Sequence, residues 1–219
     1  MLFKDIFNNL LYTVKHSEDD IRTISKFYKY LKQTKQPNAS YAVSIFYYVY
    51  NVLSTVIDYK TDNVIIGNTL GKSAYTFFDE DFFSYAKFVD QTFFNAFGVA
   101  LGLSYKSKVK TWLDISDSQL ESGIFHEFLQ NFNQHHNLLV TIDHTGYQSK
   151  SQVKEFISVR KLLKQAKVKV YYCDGHDLNK IRRLVKRVKL PAIIVFITIK
   201  GYSTHMQKDP IKYNGSPLE

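Results

Sequence analysis

Beyond residue 108 the chain repeats one rhythm: a short apolar run, a turn, then a stretch with apolar residues at helical spacing. The runs at 109–115, 138–142, 168–172 and 192–199 have strand length and little polar interruption. Between them, 118–133, 152–167 and 177–188 carry the three-to-four-residue periodicity of helices. Strands this apolar need cover on both faces, which predicts a mostly parallel sheet flanked by helices. Ligands on such sheets sit at the carboxyl ends of the strands.

Upstream, Ser17 followed by Glu18, Asp19 and Asp20 predicts an N-cap with acids in the first turn, opening a helix to about residue 33. Pro37-Asn38-Ala39-Ser40 is expected to be a break and a new helix cap. From 41 to 57 the sequence is apolar nearly all round and too long for a strand, so a buried helix is expected. A short strand is expected at 64–66, irregular structure at 71–81, and one helix over 82–105. In that helix Ala96 and Ala100, and Gly98 and Gly102, lie one turn apart and would let another helix approach closely. The last twenty residues, from about 201 to 219, are turn-rich and are expected to form an irregular tail.

Composition narrows the class. The 219 residues, 45% hydrophobic and 22% charged, can bury a real core and do not describe a disordered chain. We expect a single domain over 1–219, since no repeat, linker or low-complexity segment divides it. No apolar run approaches the ~20 residues of a spanning helix, so no membrane span is expected. Asp5 interrupts the amphipathic start and argues against a secretory signal. The single cysteine, Cys173, rules out an intrachain disulfide and a cysteine zinc cluster. An intracellular, cytoplasmic location is the expectation. Twenty-four lysines against five arginines, with many Asn, Ile, Phe and Tyr, look like an AT-rich coding bias.

The net charge of +9 is concentrated. Residues 150–189 hold nine lysines and four arginines against Glu155, Asp174 and Asp177, a local charge of +10. The other 179 residues sum to −1. Such a block suits nucleic acid or an acidic protein. It equally describes two amphipathic helices with solvated basic faces. In the second, Leu178, Ile181, Leu184, Val185 and Val188 make one apolar stripe and leave Arg182, Arg183, Lys186, Arg187 and Lys189 outward. With no nucleic-acid motif beside it, the solvated face is preferred.

The expected strand ends carry Ser116-Asp117-Ser118, Asp143-His144-Thr145, Asp174-Gly175-His176-Asp177 and Lys200-Gly201. In that order they resemble the N-terminal domain of 1-deoxy-D-xylulose-5-phosphate synthase, a thiamine-diphosphate enzyme of the transketolase superfamily. The resemblance runs from about residue 18 onward. It is clearest at Asp174 to Asp177, at 193–202, and at Lys208-Asp209-Pro210 with Tyr213. Tyr47-Tyr48-Val49-Tyr50-Asn51 is similar to a helix of the family. Ile115-Ser116-Asp117-Ser118, with Gly123 and Glu127, falls where the family has Ile-Gly-Asp-Gly followed by Gly and Glu.

The resemblance implies an α/β thiamine-diphosphate fold and a site for the cofactor with Mg²⁺. Asp117 matches the family's metal-binding aspartate; Thr145, 28 residues on, stands at the asparagine position, and Tyr147 would supply a carbonyl. Ser116 and Ser118 replace glycines that let the diphosphate approach. His176 matches the histidine of Asp-Gly-His-Asp, and Lys200 a phosphate-side lysine. From the residues alone, Asp117 also fits an N-cap, and His176 a bond to the helix start it precedes.

The catalytic positions are replaced. Gly71-Lys72-Ser73-Ala74-Tyr75-Thr76-Phe77 falls on a family segment with two histidines, here Lys72 and Phe77, and Phe88 stands near a third. An aromatic ring cannot carry protons in acid–base catalysis. Lys72 and His176 remain the catalytic candidates. His135-His136 is expected to be an exposed loop pair, and His144 beside Asp143 offers two metal ligands, too few for a site. The resemblance covers the family's first domain alone, so half a cofactor site is expected. The leading expectation is a pseudoenzyme working through a protein partner, as homodimer or hetero-oligomer, with cofactor binding weak or lost. The alternatives are a subunit of a split thiamine-diphosphate-dependent transketolase or synthase, and a basic adaptor for nucleic acid or an acidic protein.

Overall fold

The computed structural model describes residues 17–67, 69–89, 95–145, 147–148, 151–152, 156–165 and 167–218. Helix α1 (Glu18–Thr34) opens as the acids after Ser17 require, with the Ser17 side chain accepting the Asp20 N–H. Helix α2 (Ala39–Thr55) follows, and 14 of its 17 residues are buried, from Ala39 to Leu53. Its start differs from expectation: Asn38 adopts a left-handed conformation and makes no side-chain cap.

Among the described residues, six strands form one sheet, every neighbouring pair parallel, in the order β2-β1-β3-β4-β8-β7. They are β1 (Asn63–Ile66), β2 (Phe88–Val89), β3 (Thr111–Ser116), β4 (Leu138–His144), β7 (Val170–Asp174) and β8 (Ala192–Ile197). A small antiparallel ribbon joins β5 (Tyr147–Gln148) to β6 (Ser151–Gln152). The central strands β3 and β4 are buried at every position, their polar residues Asp114, Thr141 and Asp143 included.

Helices cover both faces. One carries α1, α2, the short α3 (Lys72–Thr76) and α4 (Phe82–Tyr85), and α8 (Leu178–Arg187); the other carries α5 (Asn95–Ser104), α6 (Gly123–Asn131) and α7 (Phe156–Gln165). Helix α2 lies over the middle of the sheet, its Tyr48 ring stacked on Phe196 of β8 at 4.4 Å.

Three expectations are corrected. The segment 71–81 contains α3 rather than irregular structure alone. The helix expected over 82–105 is two helices separated by β2, because Phe88 and Val89 extend the sheet beside Ile65 and Ile66. Pairing with an existing edge outweighs local helical spacing there. The helix expected at 118–133 begins as a 3₁₀ turn (Asp117–Glu121); Ser122 then caps α6 by accepting the Phe125 N–H. The tail is mostly turns with one 3₁₀ turn (His205–Lys208), and it packs back: Met206 and Leu218 are buried, and Ser216 accepts the Ala39 N–H.

Candidate functional site

The carboxyl ends of β1, β3, β4 and β8 meet in one buried polar cluster, and register places its members. Ser116 of β3 is the partner of Asp143 on β4. One step further, Asp117 and His144 face each other. His144 Nδ1 lies 2.9 Å from Asp117 Oδ2, with both side chains 2% exposed or less. On the opposite face of β4, Asp143 accepts from Thr198 Oγ1 at 2.5 Å and from Ser44 Oγ at 3.4 Å, and Tyr41 also bonds to it. Burial holds the Asp143 carboxyl well above the usual range.

The neighbouring groups are anchored. Ser116 Oγ and Ser118 Oγ are hydrogen-bonded to each other at 2.8 Å. Gln119, the last residue of a Ser-x-x-Gln capping box at the start of the 3₁₀ turn, accepts the Ser116 N–H and donates to the Gly67 carbonyl, tying the ends of β3 and β1. Gly67 permits this: a Cβ there would lie 2.9 Å from Ile115 Cγ2. Ser116, not Asp117, is the residue that precedes the 3₁₀ turn, and the Asp117 carboxylate faces His144. Lys200 is 3% exposed, donates to Asn214 of the tail at 2.6 Å, and sits close enough for its charge to act on Asp143 and Asp117. Burial pulls its ammonium below the usual lysine range, against those two acids.

Thr145 follows β4 and is buried. The Tyr147 backbone pairs with Gln152 in the β5–β6 ribbon, which lies against the 3₁₀ turn Asp117–Glu121. The three residues assigned to the metal by resemblance thus share one corner. His176 belongs to a second corner, between β7 and β8. Its Nε2 accepts the Ile199 N–H at 2.7 Å, its ring stacks on Tyr202 at 3.8 Å, and Tyr47 meets it edge-on. An accepting nitrogen carries no proton, so the ring hydrogen is on Nδ1. Gly175 is needed there: a Cβ would lie 2.4 Å from Thr198 Cγ2.

Lys72 stands apart. It is exposed at the start of α3, its ammonium 5.3 Å over the Phe83 ring. Phe77 packs among Phe27, Tyr30 and Phe46, and Phe88 lies on β2 in the other core. His135 is buried rather than exposed, its Nδ1 2.9 Å from Ser104 Oγ, while His136 is exposed as expected.

A further buried acid carries no sequence motif. Asp114, in the middle of β3, takes hydroxyl donors from Tyr48, Tyr75 and Thr141, and Trp112 Nε1 in turn donates to Thr141. Burial pushes its carboxyl up to about 7. Among the described residues, no three His, Cys, Asp or Glu side chains converge to hold a metal ion, and no helix is long and apolar enough to cross a membrane.

Neither a family model nor a curated protein matches the sequence. Solved structures do match the fold. A transketolase from Leishmania mexicana is 15% identical, with a TM-score of 0.57, covering 74% of this chain and 32% of its own. Transketolase from Campylobacter jejuni is 16% identical, TM-score 0.59, covering 74% and 33%. A transketolase variant from Pichia stipitis is 16% identical, TM-score 0.58, covering 74% and 31%. The chain therefore has a transketolase-like α/β fold and spans about a third of the length of those transketolases.

Proposed function

We propose that this chain is a non-catalytic domain of the thiamine-diphosphate-enzyme type, related through its strand-end motifs to 1-deoxy-D-xylulose-5-phosphate synthase, and that it works through a protein partner. The observation that carries this reading is the Asp117–His144 pair: the carboxylate matched to the family's metal ligand is buried against an imidazole. The residues around it fit Mg²⁺ and a diphosphate poorly. Mg²⁺ keeps water and oxygen ligands around it, whereas this corner offers a nitrogen base, a buried ammonium and two mutually bonded serines. Phe77 and Phe88 serve the cores, Lys72 points to Phe83, and His176 is committed to Ile199 and Tyr202. Nothing among them is poised to move a substrate proton.

A partner surface is supported by α5, where Gly98 and Gly102 face open space and Tyr105, on the same side, is 57% exposed. The basic block is less suited to one polyanion, since its helices α7 and α8 lie on opposite faces of the sheet. The test joins turnover of pyruvate with glyceraldehyde 3-phosphate to a thermal shift with thiamine diphosphate and Mg²⁺, and light scattering for assembly. No turnover, no cofactor shift and a dimer or larger species are expected. A second reading is a subunit of a split enzyme, which the transketolase-like fold and the retained Asp117, His176 and Lys200 positions support. Turnover that requires a polypeptide carrying the remaining transketolase-like domains would establish it.

A further inference from the structure

We infer that His144 closes the cation position at Asp117, so that this chain carries its own base where a divalent ion would bind. The inference rests on the proposed non-catalytic reading and specifies how the site came to be shut. Three observations carry it. The first is register: Ser116, the last residue of β3, pairs with Asp143, so Asp117, which opens the 3₁₀ turn, comes beside His144, the last residue of β4. The second is space. Nδ1 stands 2.9 Å from Oδ2 with both side chains 2% exposed or less. An ion at about 2.1 Å from that oxygen, keeping several waters, has no solvated room beside an imidazole so placed. The third is charge. Lys200, held on Asn214, already acts on both Asp117 and Asp143 from the end of β8, and repels an added cation.

Removing the imidazole is then expected to open the position, because Asp117 stays and Thr145 and the Tyr147 segment remain beside it. His144→Asn adds an amide oxygen, the donor a hard cation prefers, whereas His144→Ala only makes room. The experiment is a titration of the full chain with Mn²⁺, read by the loss of its free electron-spin signal, with Mg²⁺ as competitor. Wild type is expected to leave Mn²⁺ free through the millimolar range. H144N is expected to bind about 10–100-fold more tightly than wild type, the range that outer-shell groups at metal sites control, and H144A less so. Wild-type binding at micromolar Mn²⁺ would overturn the inference, as would folded H144N and H144A that bind no better than wild type. Should neither variant fold, the wild-type His144 ring nitrogen resonances decide: unchanged by Mg²⁺ they support it, shifted by Mg²⁺ they overturn it. Wild-type metal binding without turnover would remove this inference alone, while synthase turnover would remove the proposed function whatever Mn²⁺ does.

Discussion

The Tyr48 hydroxyl donates to both carboxylate oxygens of Asp114, at 3.2 and 3.3 Å, from a ring that is itself stacked on Phe196. One side chain of α2 thus spans β3 and β8, and it points its only polar atom at an acid with 4% exposure. Sequence motifs direct attention to the strand ends, but this deeper acid is displaced as well, its carboxyl pushed up by burial.

That displacement predicts a pH dependence. Burial pushes Asp114 up to about 7, against the pull of the Thr141, Tyr75 and Tyr48 hydroxyls. An unfolded aspartate titrates near about 3.9, so between about 4 and 7 the folded chain keeps a proton that the unfolded chain has lost. Its contribution is fully present below about 4 and is lost as pH rises through about 7, at a slope of at most about 1.4 kcal/mol per unit. Asp114→Asn, which cannot titrate, should lessen the fall of urea-unfolding stability between about pH 4 and pH 7, and Asp143, also raised by burial, accounts for the part that stays. Equal slopes for wild type and variant would exclude Asp114 as the source.

Two glycines should respond with opposite signs. At Gly175 a Cβ would meet Thr198 Cγ2 at 2.4 Å and the Ile197 carbonyl at 3.0 Å. Gly175→Ala should cost about 1–3 kcal/mol by overpacking. At Gly98 a Cβ meets nothing within 4 Å in the single chain, so at protein concentrations low enough to dissociate any assembly Gly98→Ala should stabilise α5 by about 0.5–1 kcal/mol. Chemical denaturation of both variants checks the pair, and a destabilised Gly98→Ala would show instead that this face is covered in solution.

Arg182 ties α8 to α1 through a 2.8 Å contact with Asp20, whose side chain is 7% exposed. Burial pushes Asp20 upward, but Arg182 and Ser17 outweigh it and hold the carboxyl below its usual range. Its contribution is therefore present above about 3.9 and lost as pH falls below that. Arg182→Ala should cost about 1–2 kcal/mol at neutral pH, since half-exposed pairs contribute little but a stranded buried acid costs more. Acid-unfolding midpoints should move to higher pH; an unchanged midpoint would show that Ser17 alone suffices.

Thr198→Val keeps the shape of the side chain at the end of β8 and removes its donor to Asp143. Asp143 is 1% exposed and retains Ser44 and Tyr41, so the loss should be about 1–3 kcal/mol. Thermal unfolding of variant and wild type measures it, and a shift toward zero would mean that Ser44 and Tyr41 satisfy the acid unaided.

The alternation beyond residue 108 was legible because both signals behind it are local: strand runs such as 192–197 are apolar at every position, and Asp177 caps α8 as its spacing implies. The same holds for Ser17 at α1 and for the buried length of α2. Where local preference competes with pairing, pattern alone misleads, as at Phe88-Val89, whose extended form exists because β1 offers an edge. The site divides in the same way. Asp117, Thr145, His176 and Lys200 were identifiable from motifs within single strand ends. That Asp117 faces His144, that Lys200 reaches the tail's Asn214, and that Gln119 joins Gly67 depend on register and on chain returning from far away. So does Asp114, an isolated acid in an apolar run whose three hydroxyl partners come from residues 48, 75 and 141. Contacts between residues distant in sequence leave no local periodicity, because each partner is placed by the packing of a different element.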